Sequence, residues 1–223
     1  MSNLRDVSGR PVSGAARVPR TATVAITALT IAAWLVASLI ASPDQAALTL
    51  GFIPARLSGA AVPWAALPAF LTPLSATLVH SGLIHLGFNL LILLWCGAAV
   101  ERVLGWPSLV VLYVVGAYAA AGAQWLADPL GVVPMVGASG AISAVIGAYS
   151  LSFGRPRQFT RSQRANRWIN AIWLMAAWVV LQMMIGWLAG GQGYLLATPA
   201  HIGGFAAGLL LQRPLLLWRY RGA

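Results

Sequence analysis

Long stretches without any charged residue are the feature that most constrains this chain. They cover residues 21–43, 57–100, 103–127, 129–154 and 168–212. About 20 apolar residues in an α-helix, at about 1.5 Å per residue, cross the roughly 30 Å hydrocarbon core of a bilayer. With 59% hydrophobic and only 8% charged residues, the chain has too little polar surface for a soluble globule. The sequence therefore predicts an integral membrane protein with helical spans.

The fold class that we expect is all-α: a polytopic bundle of six transmembrane helices over residues 21–218, after a disordered cytoplasmic tail at 1–20. The last apolar stretch is long enough for two spans, and a glycine-rich segment at 190–193 would separate them. Prolines interrupt 43–79 every few residues, which predicts a partly helical loop at the bilayer interface, anchored by Trp64. The predicted helices lie at about 22–42, 80–100, 106–126, 139–153, 168–188 and 199–217.

The net charge of +10 comes from arginine, and the chain contains no lysine. Arginines precede the first predicted helix, follow the last one, and lie in every second loop between the predicted helices. By the positive-inside rule both termini are therefore expected in the cytoplasm, with the loops 43–79, 127–138 and 189–198 on the outer side. The composition and the minimal layout fit a bacterial cell membrane. No basic cluster is interleaved with stacking aromatics, so no nucleic-acid partner is expected.

Ser139 is a candidate nucleophile because it stands where a helix should begin. It lies between Gly137 and Gly140, after the helix breaker Pro134 and before an apolar run. The first amides of a helix have no intrahelical partner and would stabilise a developing negative charge beside this serine. The predicted helix has only 15 residues, about 22 Å, which would place Ser139 below the outer membrane surface. The alternative is that these small residues merely let two helices approach closely.

His201 is the candidate general base, because it lies at the outer end of the last predicted helix, at the level of Ser139. Gly204 and Gly208 follow it at a spacing of four residues and form a smooth helix face. Such a face lets another helix come close enough for the imidazole to reach a serine hydroxyl. A histidine in a span can instead be a simple interhelical hydrogen-bonding residue.

His85 and Asn89 share one face near the outer end of the second predicted helix. Their side chains are hydrogen-bond donors of the kind that hold an oxyanion. His80 precedes them near the membrane surface, where a structural hydrogen bond to the loop is expected. No carboxylate is expected near the serine, so the chemistry would use a serine–histidine dyad.

Together these residues resemble the rhomboid family of intramembrane serine proteases, over about residues 75–212. The resemblance implies a six-helix core, with Ser139 as the nucleophile, His201 as the base and an oxyanion hole made by His85, Asn89 and the Ser139 amide. It also implies cleavage of single-pass membrane proteins near the outer face, with the fifth helix and the loop before the sixth as a moving gate. The residues that carry the resemblance are His80, His85, Asn89, Gly137, Ser139, Gly140, His201, Gly204 and Gly208.

Two features depart from that family's pattern. Members often have an aromatic residue four positions after the serine, beneath the catalytic imidazole, and this chain has Ser143 there. The first outer loop also lacks the Trp-Arg pair of many members. The orientation of His201 is therefore not predicted by the resemblance.

Other functions remain as alternatives at this stage. A catalytically silent rhomboid-like protein that binds membrane clients would keep the fold, and a small transporter or channel could use the histidines as a proton path. A zinc site is disfavoured because no His-Glu-x-x-His pair accompanies the histidines, and Cys96 is the single cysteine. We therefore expect transmembrane protein substrates, a lipid bilayer, no metal and no cofactor.

Overall fold

The computed structural model of the protein describes residues 21–153, 158–188 and 197–222. The predicted tail at 1–20 and the predicted glycine-rich break at 190–193 lie outside these residues. Among the described residues, strand-like pairing is confined to one antiparallel bridge between Phe52 and Met135, so the predicted all-α class is confirmed. The helices are α1 (Thr21–Ile40), α2 (Pro43–Leu50), α3 (Pro54–Leu57), α4 (Thr72–Ser75), α5 (Leu83–Ile92), α6 (Ala98–Leu104), α7 (Trp106–Ala127), α8 (Ser139–Phe153), α9 (Gln163–Leu188) and α10 (Thr198–Arg219).

Four of the described helical segments are long and apolar enough to cross a membrane, as judged by length and composition. They are Thr21–Ile40, Leu83–Leu104, Trp106–Ala127 and Gln163–Ile185. The helix α8 is shorter, with 15 residues, and all of its residues from Ser139 to Ala148 are buried. The short helix is therefore the centre of the bundle, and the longer helices surround it.

The second predicted helix is displaced in the structure. It was expected at 80–100, but α5, a π-helical turn at Leu93–Gly97 and α6 together run from 83 to 104. Gly82 before it has an extended backbone, and Gly105 after it has a φ of 83°, which favours glycine. The expectation that His80 lies on this helix was therefore wrong, because it precedes the extended Gly82.

The helix α9 begins five residues earlier than the expected position 168. Its first turn is capped by Ser162, whose Oγ accepts a hydrogen bond of 3.3 Å from the Ala165 amide. Arg164 and Arg167 therefore lie in α9, before its long apolar part. The polar cap thus extends the helix beyond its apolar part.

The proline-rich segment 43–79 contains the short helices α2 and α3 and a helical segment at Ala69–Leu78, in which 3₁₀ turns flank α4. Irregular backbone joins these helices. Trp64 is 38% exposed, and its indole Nε1–H donates a hydrogen bond of 3.2 Å to the carbonyl oxygen of Leu48. The segment is therefore folded on itself, while its location at the bilayer interface stays a prediction.

The helices α8 and α10 pack backbone against backbone. A Cβ atom added at Gly204 would collide with the carbonyl oxygen of Gly140, and one added at Gly208 with that of Ala144. A Cβ atom at Gly147 of α8 would likewise collide with the backbone of α10. Only glycine permits this separation. The contact places the N-terminal ends of α8 and α10 side by side.

At the other end of the bundle, the carboxylate of Glu101 holds the beginning of α1. This side chain is fully buried. It accepts hydrogen bonds of 2.9 Å from the backbone amides of Ala22 and Thr23, and others from the hydroxyls of Thr21 at 3.3 Å and Thr23 at 2.6 Å. The first amides of a helix lack intrahelical partners and favour a negative charge. A residue of α6 therefore caps α1.

We predict that Glu101→Gln destabilises the protein. The amide NH₂ group would face the amide donors of α1, so at least one hydrogen bond would be lost and a buried donor left unpaired. The expected loss is about 1–3 kcal/mol, measured as a lower midpoint of thermal unfolding in detergent. The exposed Asp128 provides the control, since Asp128→Asn should leave the midpoint unchanged. An unchanged midpoint for Glu101→Gln would contradict the capping role.

We also predict that Gly208→Ala separates α8 from α10. The added methyl group meets backbone that cannot move aside, so overpacking should cost at least about 1–3 kcal/mol. Gly122→Ala in α7 is the matched control, because its Cβ atom would enter open space and alanine favours a helix by about 1 kcal/mol. Thermal unfolding in detergent compares the two variants. Equal stability of both would show that the two helices can move apart at little cost.

Candidate active site

Ser139 is the first residue of α8, and it is 8% exposed. The backbone before it is not helical and is tied to neighbouring segments. The Gly137 amide donates to the Ala76 carbonyl oxygen over 2.9 Å, and the Ala138 amide donates to Nε2 of His80 over 3.4 Å. The hydroxyl is therefore held at a fixed point at the positive end of a buried helix.

His201 lies near the beginning of α10 and is 5% exposed. Its Nε2 is 2.9 Å from Oγ of Ser139. The serine hydroxyl donates to Nε2 in the tautomer that carries its proton on Nδ1. Because α8 and α10 touch at Gly204 and Gly208, this pair lies where both helices begin. The arrangement can transfer a proton from the hydroxyl to the imidazole.

His85 and Asn89 lie on α5 next to Gly137, which precedes Ala138 and Ser139 in the chain. A Cβ atom at Gly137 would lie 2.6 Å from Cε1 of His85 and 3.8 Å from Nδ2 of Asn89. Gly137 also has a φ of 109°, in the region that favours glycine. The imidazole therefore fills the space that a side chain at this position would need.

Some polar atoms of this group have hydrogen-bond partners, whereas Oδ1 of Asn89 and Nδ1 of His80 have none among the described residues. The Asn89 side chain is buried, and its Nδ2 donates a hydrogen bond of 3.1 Å to the His85 carbonyl oxygen. Nδ1 of His85 lies 3.1 Å from Oγ of Ser81. The rings of His80 and His85 meet edge to face with centroids 5.0 Å apart. His80 thus links α5 to the backbone before Ser139.

The structure places three helix beginnings together, those of α5, α8 and α10. Most of the candidate residues from the sequence lie there: the dyad, His85, the supporting His80, and the glycines at 137, 140 and 204. Asn89 lies one turn after His85 on α5, and Gly208 lies near the middle of α10, where it packs against α8. Their chemical roles stay predictions. Within the described residues, no three His, Cys, Asp or Glu side chains are grouped so that they could hold a metal ion.

Sequence reasoning missed one residue at this site. Trp178 of α9 is buried, its ring lies edge to face with that of His201 at a centroid distance of 6.3 Å, and its Nε1–H donates to Oγ of Ser143 over 2.8 Å. Trp168, Trp173 and Trp187 of the same helix are exposed. Since lipid-facing and buried tryptophans look alike in an apolar helix, the sequence carried no signal that distinguished Trp178.

The amino-acid sequence of this chain is similar to those of several known proteins. It is 28% identical over 142 residues to Rhomboid-type serine protease 2 of Emericella nidulans, which covers 60% of this chain and 24% of that protein. It is 29% identical over 170 residues to Rhomboid protease GlpG of Pectobacterium atrosepticum, covering 72% of this chain and 56% of that protein. RHOMBOID-like protein 4 of Arabidopsis thaliana is 29% identical over 151 residues, covering 67% and 35%. The chain thus spans less than two thirds of the length of these relatives.

The family model described as Rhomboid domain matches residues 68–218. This range contains α4 to α9 and all of α10 except its last residue, and it contains every residue of the candidate site. It is more than half of the chain. The apolar helices and this match agree on a protein embedded in a bilayer. The chain is an integral membrane protein that belongs to the rhomboid family.

Proposed function

We propose that this protein is an intramembrane serine endopeptidase, which hydrolyses peptide bonds in or near the transmembrane segments of single-pass membrane proteins. The observation that carries the proposal is the 2.9 Å contact between Oγ of Ser139 and Nε2 of His201, at the beginning of a buried helix. The names of two relatives, Rhomboid-type serine protease 2 and Rhomboid protease GlpG, support the same reaction.

In the proposed reaction, His201 takes the proton of the Ser139 hydroxyl while Oγ attacks the carbonyl carbon of the scissile bond. The tetrahedral intermediate collapses to an acyl-enzyme when the protonated His201 gives its proton to the leaving amine. Water then attacks the ester with His201 as the base again, which releases the second product and restores Ser139. A substrate helix has to unwind locally, because its carbonyl groups are otherwise hydrogen-bonded within the helix.

The oxyanion that forms in each step would be held by three donors. The amide of Ser139 belongs to the first turn of α8, where amide groups lack intrahelical partners. Asn89 has a second N–H besides the one bonded to the His85 carbonyl oxygen. The His85 ring adjoins Gly137, and its N–H would be the third donor. Fixed donors in a water-poor site stabilise developing charge strongly.

The proposed chemistry uses a dyad without a third member. Nδ1 of His201 has no hydrogen-bond partner among the residues that the structure describes. Of the carboxylates in the same part of the chain, Glu101 is bound to the beginning of α1, and Asp44 and Asp128 are exposed. A dyad therefore explains the site better than a Ser-His-Asp triad does.

The orientation that we propose places the active site near the outer face of a bacterial cell membrane, with both termini in the cytoplasm. Arginine distribution supports it, because Arg56 is the single arginine expected on the outer side. The helix α8, with 15 residues, covers about 22 Å of the roughly 30 Å core. Ser139 would then lie within the membrane, where water reaches it only from the outer end.

We predict that a fluorophosphonate probe labels the wild-type protein and fails to label Ser139→Ala or His201→Ala. The first variant lacks the nucleophile and the second lacks the base that activates it. Ser150→Ala, which removes another buried serine of α8, is the matched control and should be labelled like the wild type. Thermal unfolding in detergent verifies that all four proteins are folded.

Labelling of Ser139→Ala at the wild-type rate would refute the proposed nucleophile. A folded wild-type protein that is labelled neither in detergent nor in liposomes would favour a catalytically silent rhomboid-like protein that binds membrane clients.

We further predict that Asn89→Ala lowers kcat about 10²- to 10³-fold, as expected for the loss of one oxyanion donor. KM should change little, since the donor acts mainly in the transition state. The assay is hydrolysis of a fluorogenic transmembrane peptide in liposomes. Asn170→Ala in α9 is the control and should retain wild-type kinetics. A change confined to KM in Asn89→Ala would place Asn89 in substrate binding instead.

A further inference from the structure

The His201 ring is held at only one polar atom among the described residues. Its Nε2 contacts Ser139, whereas Nδ1 has no hydrogen-bond partner there. A ring fixed at one nitrogen can still tilt about that contact. The neighbouring aromatic group is the indole of Trp178, edge to face at a centroid distance of 6.3 Å and with planes inclined by 75°. This apolar contact limits the tilt of the imidazole.

Trp178 is itself fixed by a polar contact. It is 5% exposed, and its Nε1–H donates a hydrogen bond of 2.8 Å to Oγ of Ser143. The Ser143 hydroxyl in turn donates to the carbonyl oxygen of Ser139 over 2.7 Å. The contacts thus form a closed circuit from Ser139 through His201, Trp178 and Ser143 back to Ser139. The helices α8 and α10 supply three of these residues, and α9 supplies Trp178.

This circuit of contacts explains why position 143 is a serine. Ser143 is fully buried on the central helix, where an unpaired hydroxyl would cost free energy. Its oxygen both accepts from Trp178 and donates to the Ser139 backbone. An alanine would fill nearly the same space but would hold neither group. The hydroxyl therefore connects the tryptophan to the backbone of the nucleophile.

We propose that Trp178 is a positioning residue, which holds the imidazole of His201 in the orientation that accepts the Ser139 proton, and that Ser143 fixes Trp178 for this purpose. The proposal rests on the proposed serine-protease chemistry. The contacts of Trp178 at this site are with the His201 ring and with Oγ of Ser143, so it would act through His201. Because it lies on α9, the position of that helix also sets the orientation of the base.

The test measures fluorophosphonate inactivation, with separate values for the maximal rate constant, the half-saturating probe concentration and the fraction of active protein. Trp178→Ala should lower the maximal rate constant about 10- to 100-fold, since small misalignments of reacting groups have effects of this size. The half-saturating concentration and the active fraction should stay near wild-type values. Trp178→Phe keeps a ring but loses the N–H, and an intermediate loss is expected.

Trp173→Ala is the matched control, because it removes a tryptophan of α9 that is 68% exposed. It should react like the wild type. A merely structural role for Trp178 would lower the unfolding midpoint and the active fraction, and the protein that remains active would react at the wild-type rate. That result would overturn the proposal.

A double-variant cycle tests the role of Ser143. Ser143→Ala and Trp178→Phe break the same hydrogen bond. The double variant should therefore have a maximal rate constant no lower than that of the slower single variant. Losses that multiply, or an unchanged rate in both single variants, would refute the link. These two variants keep the test valid if Trp178→Ala does not fold.

The result also separates this proposal from the one on which it rests. If the folded wild-type protein is not labelled in liposomes, the proposed protease function fails and the positioning role fails with it. If the wild type is labelled and Trp178→Ala reacts equally fast, only the positioning role is wrong.

Discussion

The contact between the backbones of α8 and α10 is the constraint on which the rest of the structure depends. No side chain separates the two helices at Gly204 and Gly208, so their first turns lie close enough for Ser139 and His201 to share a hydrogen bond. On its other side, α8 also packs closely against α7, since a Cβ atom at Gly140 would lie 2.6 Å from the Cβ atom of Ala120. In a bilayer, where apolar surface gains little from leaving lipid, such close contacts are what hold helices together.

Much of this architecture could be predicted because a membrane restricts a sequence so strongly. A charge-free segment of this all-α fold that crosses a bilayer has to be a helix, and breakers such as Pro134 and Gly137 mark where α8 begins. The bounds of α8 follow from this argument alone. Polar residues are costly in such stretches, so the coincidence of Ser139, His85 and His201 at one end of three predicted helices indicates a common site from the sequence alone.

The remaining features depend on tertiary contacts that leave no local signature. Glu101 lies near the end of an apolar helical segment, like many acidic residues at a membrane surface, and its partners at the beginning of α1 are about 80 residues away. Trp178 resembles the lipid-facing tryptophans of α9, because helical periodicity is weak where almost every residue is apolar. The predicted start of the second helix was too early, because a single glycine such as Gly82, whose backbone is extended, does not by itself mark the end of a helical pattern.

The glycines between α8 and α10 give the protein an uneven tolerance to mutation. Every other amino acid carries a Cβ atom, so no conservative replacement exists at Gly204 or Gly208, and even the smallest change alters the distance between two helices. The exposed apolar side chains of α9, such as Trp173, lie on a helix that is long and apolar enough to cross a membrane, where one apolar residue type can replace another. Substitutions should therefore be tolerated at the exposed apolar positions of α9 and excluded at Gly204 and Gly208.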